Sequence, residues 1–418
     1  MKWPRVRLAD VAEVLGGSTP SRDRQDYWNG DIPWLTPTDL PMPGEGIAEV
    51  CDTTERITEA GLAAISASLL PPGTVLFSSR ATIGKIGIAA VPLVTNQGFA
   101  NFVPSKAILP NFLAYCLLYY REEISHLAGT TTFKEVRRGA LKRFQIPLPP
   151  LSEQRRIVEI LDQADALRKK RAEADAKAAR ILPALFYKMF GDPATNSKGW
   201  PVRPLGEAWQ IVGGGTPSRT VQEFWRGSVP WASPKDMKTE ILSDTEEHIT
   251  AEAVSSSATR LVPPGSLLIV FRSGILVHTF PAALTAIDVA INQDLKALQP
   301  MGKNTNEYLF GLFAAAPTVP LACVKKGATV HNVDGARFSS LPIPLPPASL
   351  QRRFAEHLQT ALGVKAQGRS VGRQIEDLFR TLLHRAFTGE LTARWREAHM
   401  KELLAEMEAQ SKLLEAVR

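Results

Sequence analysis

With 418 residues, 44% apolar and 22% charged, the chain is long enough for about two to four domains, each with its own core. No run of about 18 apolar residues occurs, so no spanning helix is expected, and the N-terminal MKWPRVRLAD lacks the apolar stretch of a secretion signal. The net charge of +7 and pI near 9.3 suit a polyanion partner, while Cys51, Cys116 and Cys323 are too far apart for a CxxC metal site and fit a reducing cytoplasm.

In chain order, one plan is used twice. Trp3–Asp39 aligns without gaps to Trp200–Asp236 at an offset of 197, and sixteen of those 37 positions are identical. Chance gives about two or three. GGSTPSR (Gly16–Arg22) matches GGGTPSR (Gly213–Arg219), and YWNGDIPW (Tyr27–Trp34) matches FWRGSVPW (Phe224–Trp231). ERIT at Glu55 meets EHIT at Glu247, LPPGTVLFSSR (Leu70–Arg80) meets VPPGSLLIVFR (Val262–Arg272), and Asn96-Gln97 meets Asn292-Gln293. IPLPP closes both copies, from Ile146 and from Ile343.

Each copy reads as mixed α and β. Thr74–Phe77 and Ser266–Phe271 are expected as buried strands entered through Pro-Pro-Gly turns, and Ile86–Val94 as a further strand. Asn111–Tyr120 and Asn306–Phe313 are expected as short helices. The order is a globular domain (1–150), a helix and joint (151–195), a second globular domain (196–347), then a helix and tail (348–418).

The first long helix, Ser152–Phe190, is expected to be capped by Ser152. Ile157, Ile160, Ala164, Leu167, Ala174, Ala178, Ile181 and Leu185 recur as an a/d seam, and Pro183 should kink its end. In the second, Phe354, Leu358 and Ala361 begin a seam and Ile375, Leu378 and Leu382 finish it. Gly363, Gly368 and Gly372 lie between, so its middle is expected to be distorted or to depend on a partner. The tail, Thr392–Arg418, reads as an amphipathic helix for a partner or for the body of the protein.

No catalytic motif is found: there is no phosphate loop, dinucleotide fingerprint, HExxH or GxSxG. The TPSR loops, with Thr19, Ser21 and Arg22 or Thr216, Ser218 and Arg219, are anion sites or tight turns. The paired tryptophans Trp28/Trp34 and Trp225/Trp231 stack on bases or fill the core, and the Asn-Gln pairs read adenine or hold loops.

Modules that read different sequences must diverge where they read. The poorly matching segments are Asp39–Thr54 against Met237–Glu246, Ser78–Val94 against Arg272–Ala290, and His126–Arg138 against Val324–Arg337. Candidate DNA contacts in and around them are Arg80, Lys85, Thr131, Thr132, Lys134, Arg137, Arg138, Lys235, Arg272, Lys325, Lys326, His331 and Asn332. The run Arg168–Arg171 reads instead as a solvated face or an interhelical salt-bridge row.

The repeated W…GGxTPSR…W.G.(I/V)PW pattern, the Pro-Pro-Gly strand entry, the Asn-Gln pair and the IPLPPxxxQRR helix entry resemble the specificity (S) subunit of type I restriction–modification systems. The resemblance implies an α+β fold. Two tandem mixed α/β target-recognition domains are separated by two long helices that form an antiparallel, pseudo-two-fold coiled coil. Each domain would read one half of a bipartite site in double-stranded DNA. The coil would set the spacing and dock two methyltransferase (M) subunits, and restriction (R) subunits would join through them.

The resemblance assigns Gln154, Arg155, Arg156 and Ile157, with Gln351, Arg352, Arg353 and Phe354, to subunit contact. It places S-adenosylmethionine and ATP on the partner subunits, makes this chain non-catalytic, and implies a cytoplasmic location, nucleoid-associated on DNA. A helix of about 38 residues is at most about 57 Å long, which implies readers about one DNA turn apart. Two other classes stand beside this reading: a coiled-coil protein adaptor, and a self-contained modification enzyme.

Overall fold

A computed structural model describes residues 3–129, 134–327 and 330–415. The chain divides into two compact units, Met1–Lys170 with Gly372–Arg418, and Arg171–Val371. The division falls inside the two long helices, not at their starts.

Both units are built around the same five-stranded sheet. In the first, the order is Ala12–Gly16, Phe99–Pro104, Val75–Ser78, Ile86–Ala89, Ile47–Val50. In the second it is Trp209–Gly213, Leu295–Pro300, Leu267–Val270, Ala282–Thr285, Ile241–Leu242. Neighbours run antiparallel except the final pair, which is parallel in both. The central strands after the Pro-Pro-Gly turns are buried at every position, which explains their unbroken apolar runs. Gly73 and Gly265 close those turns at φ of 85° and 80°.

A smaller sheet carries the repeated tryptophans. It contains Glu55–Ile57, Trp28–Leu35 and Val94–Thr95 in the first unit. In the second it contains Glu247–Ile249, Val229–Ala232, Val289–Ile291 and Arg260–Val262. The single strand expected over Ile86–Val94 is therefore two, Ile86–Ala89 and Val94–Thr95, one in each sheet. Arg5–Arg7 pairs with Gln145–Pro147, and Val202–Pro204 with Pro342–Pro344, so each globular part is clasped shut just before its long helix. The helices Pro110–Tyr119 and Asn306–Ala315 are almost wholly buried against the sheets.

The first long helix spans Leu151–Phe190 and continues through Pro183 as α-helix. Ser152 lies inside it and is not its cap. The Gln154 N–H donates to Pro150 O, and the Ser152 N–H donates to Glu406 Oε2 of the tail at 3.0 Å. The seam also differs from expectation. Ile157, Leu161, Ala164 and Arg168 are buried, whereas Leu167 is 49% exposed and Ile181 52%. Leu161 and Arg168 thus take the places expected of Ile160 and Leu167. Arg168 tolerates burial because its guanidinium meets Asp165 at 3.0 Å, Glu376 at 2.7 Å and Gly44 O at 3.0 Å, and lies over Phe379.

The second long helix spans Ala348–Thr388 without interruption at Gly363, Gly368 or Gly372, so the expected distortion does not occur. Nucleation is met once, and packing at Phe354, Leu358 and Leu362 on one side and Phe379, Leu383 and Ala386 on the other carries the middle. Phe379 and Leu383 face inward where Leu378 and Leu382 were expected; Leu378 is 48% exposed. In the first unit Arg168 meets Glu376 while Glu153 meets Thr392; in the second, Phe186 packs on Phe354 while Arg171 lies beside Gly368. Within each unit the paired segments therefore run antiparallel. The tail forms Ala393–Ala398 and Met400–Glu415 and packs on the first unit, with Leu403 buried and Gln410 Nε2 donating to Ala107 O at 2.6 Å.

Candidate nucleic-acid interface

The TPSR loop of each unit is built against the Asn-Gln loop. Ser18 N–H donates to Thr95 O at 2.9 Å, and Gly215 N–H to Ile291 O at 3.0 Å. A Cβ on Gly17 would stand 2.0 Å from Asn96 O, and one on Gly214 2.0 Å from Ile291 O, so glycine is required for the close approach. Thr19 donates its hydroxyl to Gln97 Oε1, and Thr216 does the same to Gln293 Oε1. The Asn-Gln pairs hold loops: Asn96 Oδ1 accepts from Gly98 N–H, and Asn292 Oδ1 from Asp294 N–H and Leu295 N–H.

The arginine of each loop is engaged within the chain. Both nitrogens of the Arg22 fork donate to Glu55, and the guanidinium lies 3.9 Å from the Trp28 ring centre. Arg219 repeats this on Glu247, 3.5 Å from Trp225. Trp28 meets Trp34 edge to face at 5.0 Å, and Trp225 meets Trp231 at 5.0 Å. The indole N–H groups donate to loop carbonyls, Ser21 O and Ser18 O in one unit and Ser218 O and Gly215 O in the other. The Arg22 fork hydrogen-bonded to Glu55 holds that carboxyl below its usual range, and Arg219 does the same to Glu247. Arg22 and Arg219 are latches that fix the loop, so the tight-turn reading accounts for them better than a phosphate contact. Ser21 is exposed beside its latch, and Ser218 shares a hydrogen bond with Thr220.

Lys85 is a second correction. It is buried, and its ammonium donates to Pro37 O at 2.6 Å and Leu40 O at 2.9 Å. Its place in the divergent segment Ser78–Val94 put it among the candidate contacts; in the fold it pins the Pro37–Asp39 turn. Its counterpart turn in the second unit, Pro234–Asp236, leaves Lys235 exposed.

Around the latches lies an open basic surface. In the second unit a cleft of about 630 Å³ is lined by Thr216, Arg219, Lys235, Arg272, Asn292 and Gln293 together with neighbouring residues. At its edge Arg272–Ser273, His331–Val333 and Val324–Lys325 form a three-stranded sheet in which Asn332 stands between Arg272 and Lys325. Lys325 also meets Asp334 at 2.8 Å and holds its carboxyl below the usual range. His331 Nδ1 accepts from Gly327 N–H at 3.3 Å, and Lys326 is exposed.

In the first unit the backbone of Arg80 forms an isolated antiparallel β-bridge with Glu135, and Lys134, Arg137 and Arg138 are exposed nearby. The Arg138 guanidinium lies over Gly16, where an added Cβ would stand 2.6 Å from it. Thr131 and Thr132 lie outside the described residues. The structure therefore gathers Arg272, Lys325, His331 and Asn332 in one unit and Arg80, Lys134, Arg137 and Arg138 in the other. Glu55, Glu247 and Glu135 escaped notice in the sequence, although the repeated ERIT and EHIT carried a signal for the first two.

The helix-start residues divide in two. Gln154 is buried, accepting from Leu109 N–H and donating to Ala107 O and Pro149 O; Gln351 accepts from Thr305 N–H and donates to Pro346 O. Ile157 and Phe354 are fully buried. These four hold each helix to its own globular part and are not free for a partner. Arg155, Arg156, Arg352 and Arg353 are exposed.

A mixed α/β module used twice, each copy holding a latched loop beside exposed basic residues and leading into a long helix, defines a tandem recognition protein. The chain belongs to the family described as the type I restriction modification DNA specificity domain, which matches residues 1–175 and 197–364. That domain is a specificity module and not a catalytic one, and this chain is a DNA-specificity subunit of a type I restriction–modification system. The type I restriction enzyme MjaIX specificity subunit of Methanocaldococcus jannaschii is 26% identical over 378 residues, 85% of this chain and 86% of that protein. The EcoR124I/EcoR124II specificity subunit of Escherichia coli is 36% identical over 226 residues, 52% of this chain and 55% of that protein. The S subunit of a type I system from M. genitalium, solved by crystallography, shares the fold with a TM-score of 0.55 at 14% identity, over 93% of this chain and 96% of that one.

Proposed function

We propose that each unit reads one half of a bipartite site in double-stranded DNA. The observation that supports this is the pattern of likeness between the units. The latch, the glycine approach and the sheet order are repeated, while the exposed segments beside Arg80 and Arg272 differ. A scaffold kept constant around a variable surface is what two readers of different half-sites require. Arg80, Lys134, Arg137 and Arg138 serve one half, and Lys235, Arg272, Lys325, Lys326, His331 and Asn332 the other.

The paired helices set the distance between readers and dock two methyltransferase subunits, with restriction subunits joining through them. Exposed Arg155, Arg156, Arg352 and Arg353, and exposed Leu167, Ile181 and Leu378, are the residues offered to those partners. S-adenosylmethionine and ATP belong to the partner subunits, and the assembly works in the cytoplasm on the nucleoid. Methylome sequencing with and without the gene tests the reading. One split motif should disappear with the gene; loss of no motif overturns it.

A further inference from the structure

In both units the strand after the Pro-Pro-Gly turn leads to an exposed arginine, Arg80 or Arg272. A later segment returns beside it. Val136 N–H donates to Ser79 O at 2.8 Å, and Val333 N–H to Phe271 O at 2.9 Å. These two bonds set the same register in the two units, with Glu135 opposite Arg80 and Asn332 opposite Arg272. Val136 and Val333 are buried, so the residue before each points outward. Glu135 and Asn332 are indeed exposed. Residues directly opposed across strands share a face, so each stands with its arginine on the outer side.

Within this shared register the two units differ at one outward position. The arginine is kept and the buried valine is kept; the outward residue between them changes from Glu135 to Asn332. Neither side chain has a structural task that the fold reveals. Among the described residues Glu135 has no ion-pair partner and the Asn332 amide makes no hydrogen bond. A carboxylate in a surface with Arg80, Lys134, Arg137 and Arg138 would repel phosphates, unless it is aimed at a donor away from the backbone.

We propose, resting on the half-site reading above, that Glu135 and Asn332 are the equivalent base-reading positions of the two units. An ionised carboxylate only accepts, and the major-groove edge that only donates is the N4 amino group of cytosine. A carboxamide both donates and accepts, which matches N7 and N6 of adenine. Glu135 thus reads a C·G pair in one half-site, and Asn332 reads an A·T pair in the other. Arg80 and Arg272 hold the duplex against that face.

The test uses the full chain with its cognate methyltransferase in cells, with the methylated motif as readout. The wild type must first give a split motif; if it gives none, the half-site reading fails independently of this assignment. Given that motif, E135N should shift preference at one C·G pair of one half by about tenfold or more, and N332E should act on one A·T pair of the other half alone. An unchanged motif in both variants overturns the proposal, as does a change in both halves from one substitution. If E135N abolishes methylation, E135A with binding to duplexes carrying single base-pair changes decides. Relaxed discrimination at one C·G pair supports the assignment, and unchanged discrimination at every pair overturns it.

Discussion

Arg396 donates through Nε to Oε1 of Glu153 at 2.7 Å, and Glu153 is fully buried. The same carboxylate accepts from Thr392 Oγ1 at 2.6 Å and from Trp3 Nε1 at 2.8 Å. The C-terminal tail is thereby tied to the start of the first long helix. The second copy carries Leu350 at the position of Glu153, in line with the tail lying on the first unit alone. Removing one partner of a buried pair leaves an uncompensated charge, so R396M should cost about 3–5 kcal/mol. The double variant E153L/R396M should recover most of that. Denaturant titration of the three proteins checks both values; a loss for R396M no greater than that of the double variant would contradict the pairing.

The latches and the open basic residues should separate by salt dependence. R219A removes an exposed ion pair and a cation–π contact, so it should cost about 1 kcal/mol of stability. It should leave the log–log salt slope of DNA binding unchanged. K326A or K235A should leave stability within about 0.5 kcal/mol and lower the slope by about 1 if each neutralises a phosphate. Binding isotherms of the assembled complex at several salt concentrations report the slopes.

Acid should loosen the latches before the core. The carboxyls of Glu55 and Glu247 are held below their ordinary value of 4.5 by hydrogen bonds from Arg22 and Arg219. A depressed folded-state value contributes stability that is fully present above the unfolded value and is lost as pH falls through the folded one. The loss therefore belongs below about pH 4.5. Indole fluorescence from Trp28 and Trp225 should change in that window in the wild type. E55Q/E247Q should show the altered signal already at pH 7 and a flatter acid limb; an unaltered acid limb in the double variant would count against the latch.

Two glycines of the second long helix should respond differently to alanine. A Cβ on Gly363 meets nothing within 4 Å, so G363A should stabilise by about 1 kcal/mol through helix propensity. A Cβ on Gly368 stands 3.2 Å from Arg171 Nη2, in a guanidinium paired with Asp175. G368A must displace that side chain and should gain less than G363A. Thermal melts of the two variants side by side rank them.

The duplication, the α+β class and the long helices are legible in the residues alone, as are the divergent segments in which the two copies differ. Identical residues at a constant offset require one fold used twice, and apolar period alone marks buried strands and long helices. Tertiary structure decided which row of each helix faces inward. Two rows one residue apart, Ile160 and Leu167 or Leu161 and Arg168, satisfy nearly the same period. The choice rests on distant partners such as Glu376, Phe379 and Gly44, which local pattern cannot supply. Tertiary structure also supplied the acceptors of Arg22, Arg219 and Lys85, which lie some 28 to 48 residues away in the chain. The equivalence of Glu135 and Asn332 has the same origin. His126–Arg138 and Val324–Arg337 share too little sequence to align, and only backbone pairing with Ser79 and Phe271 sets them in one register.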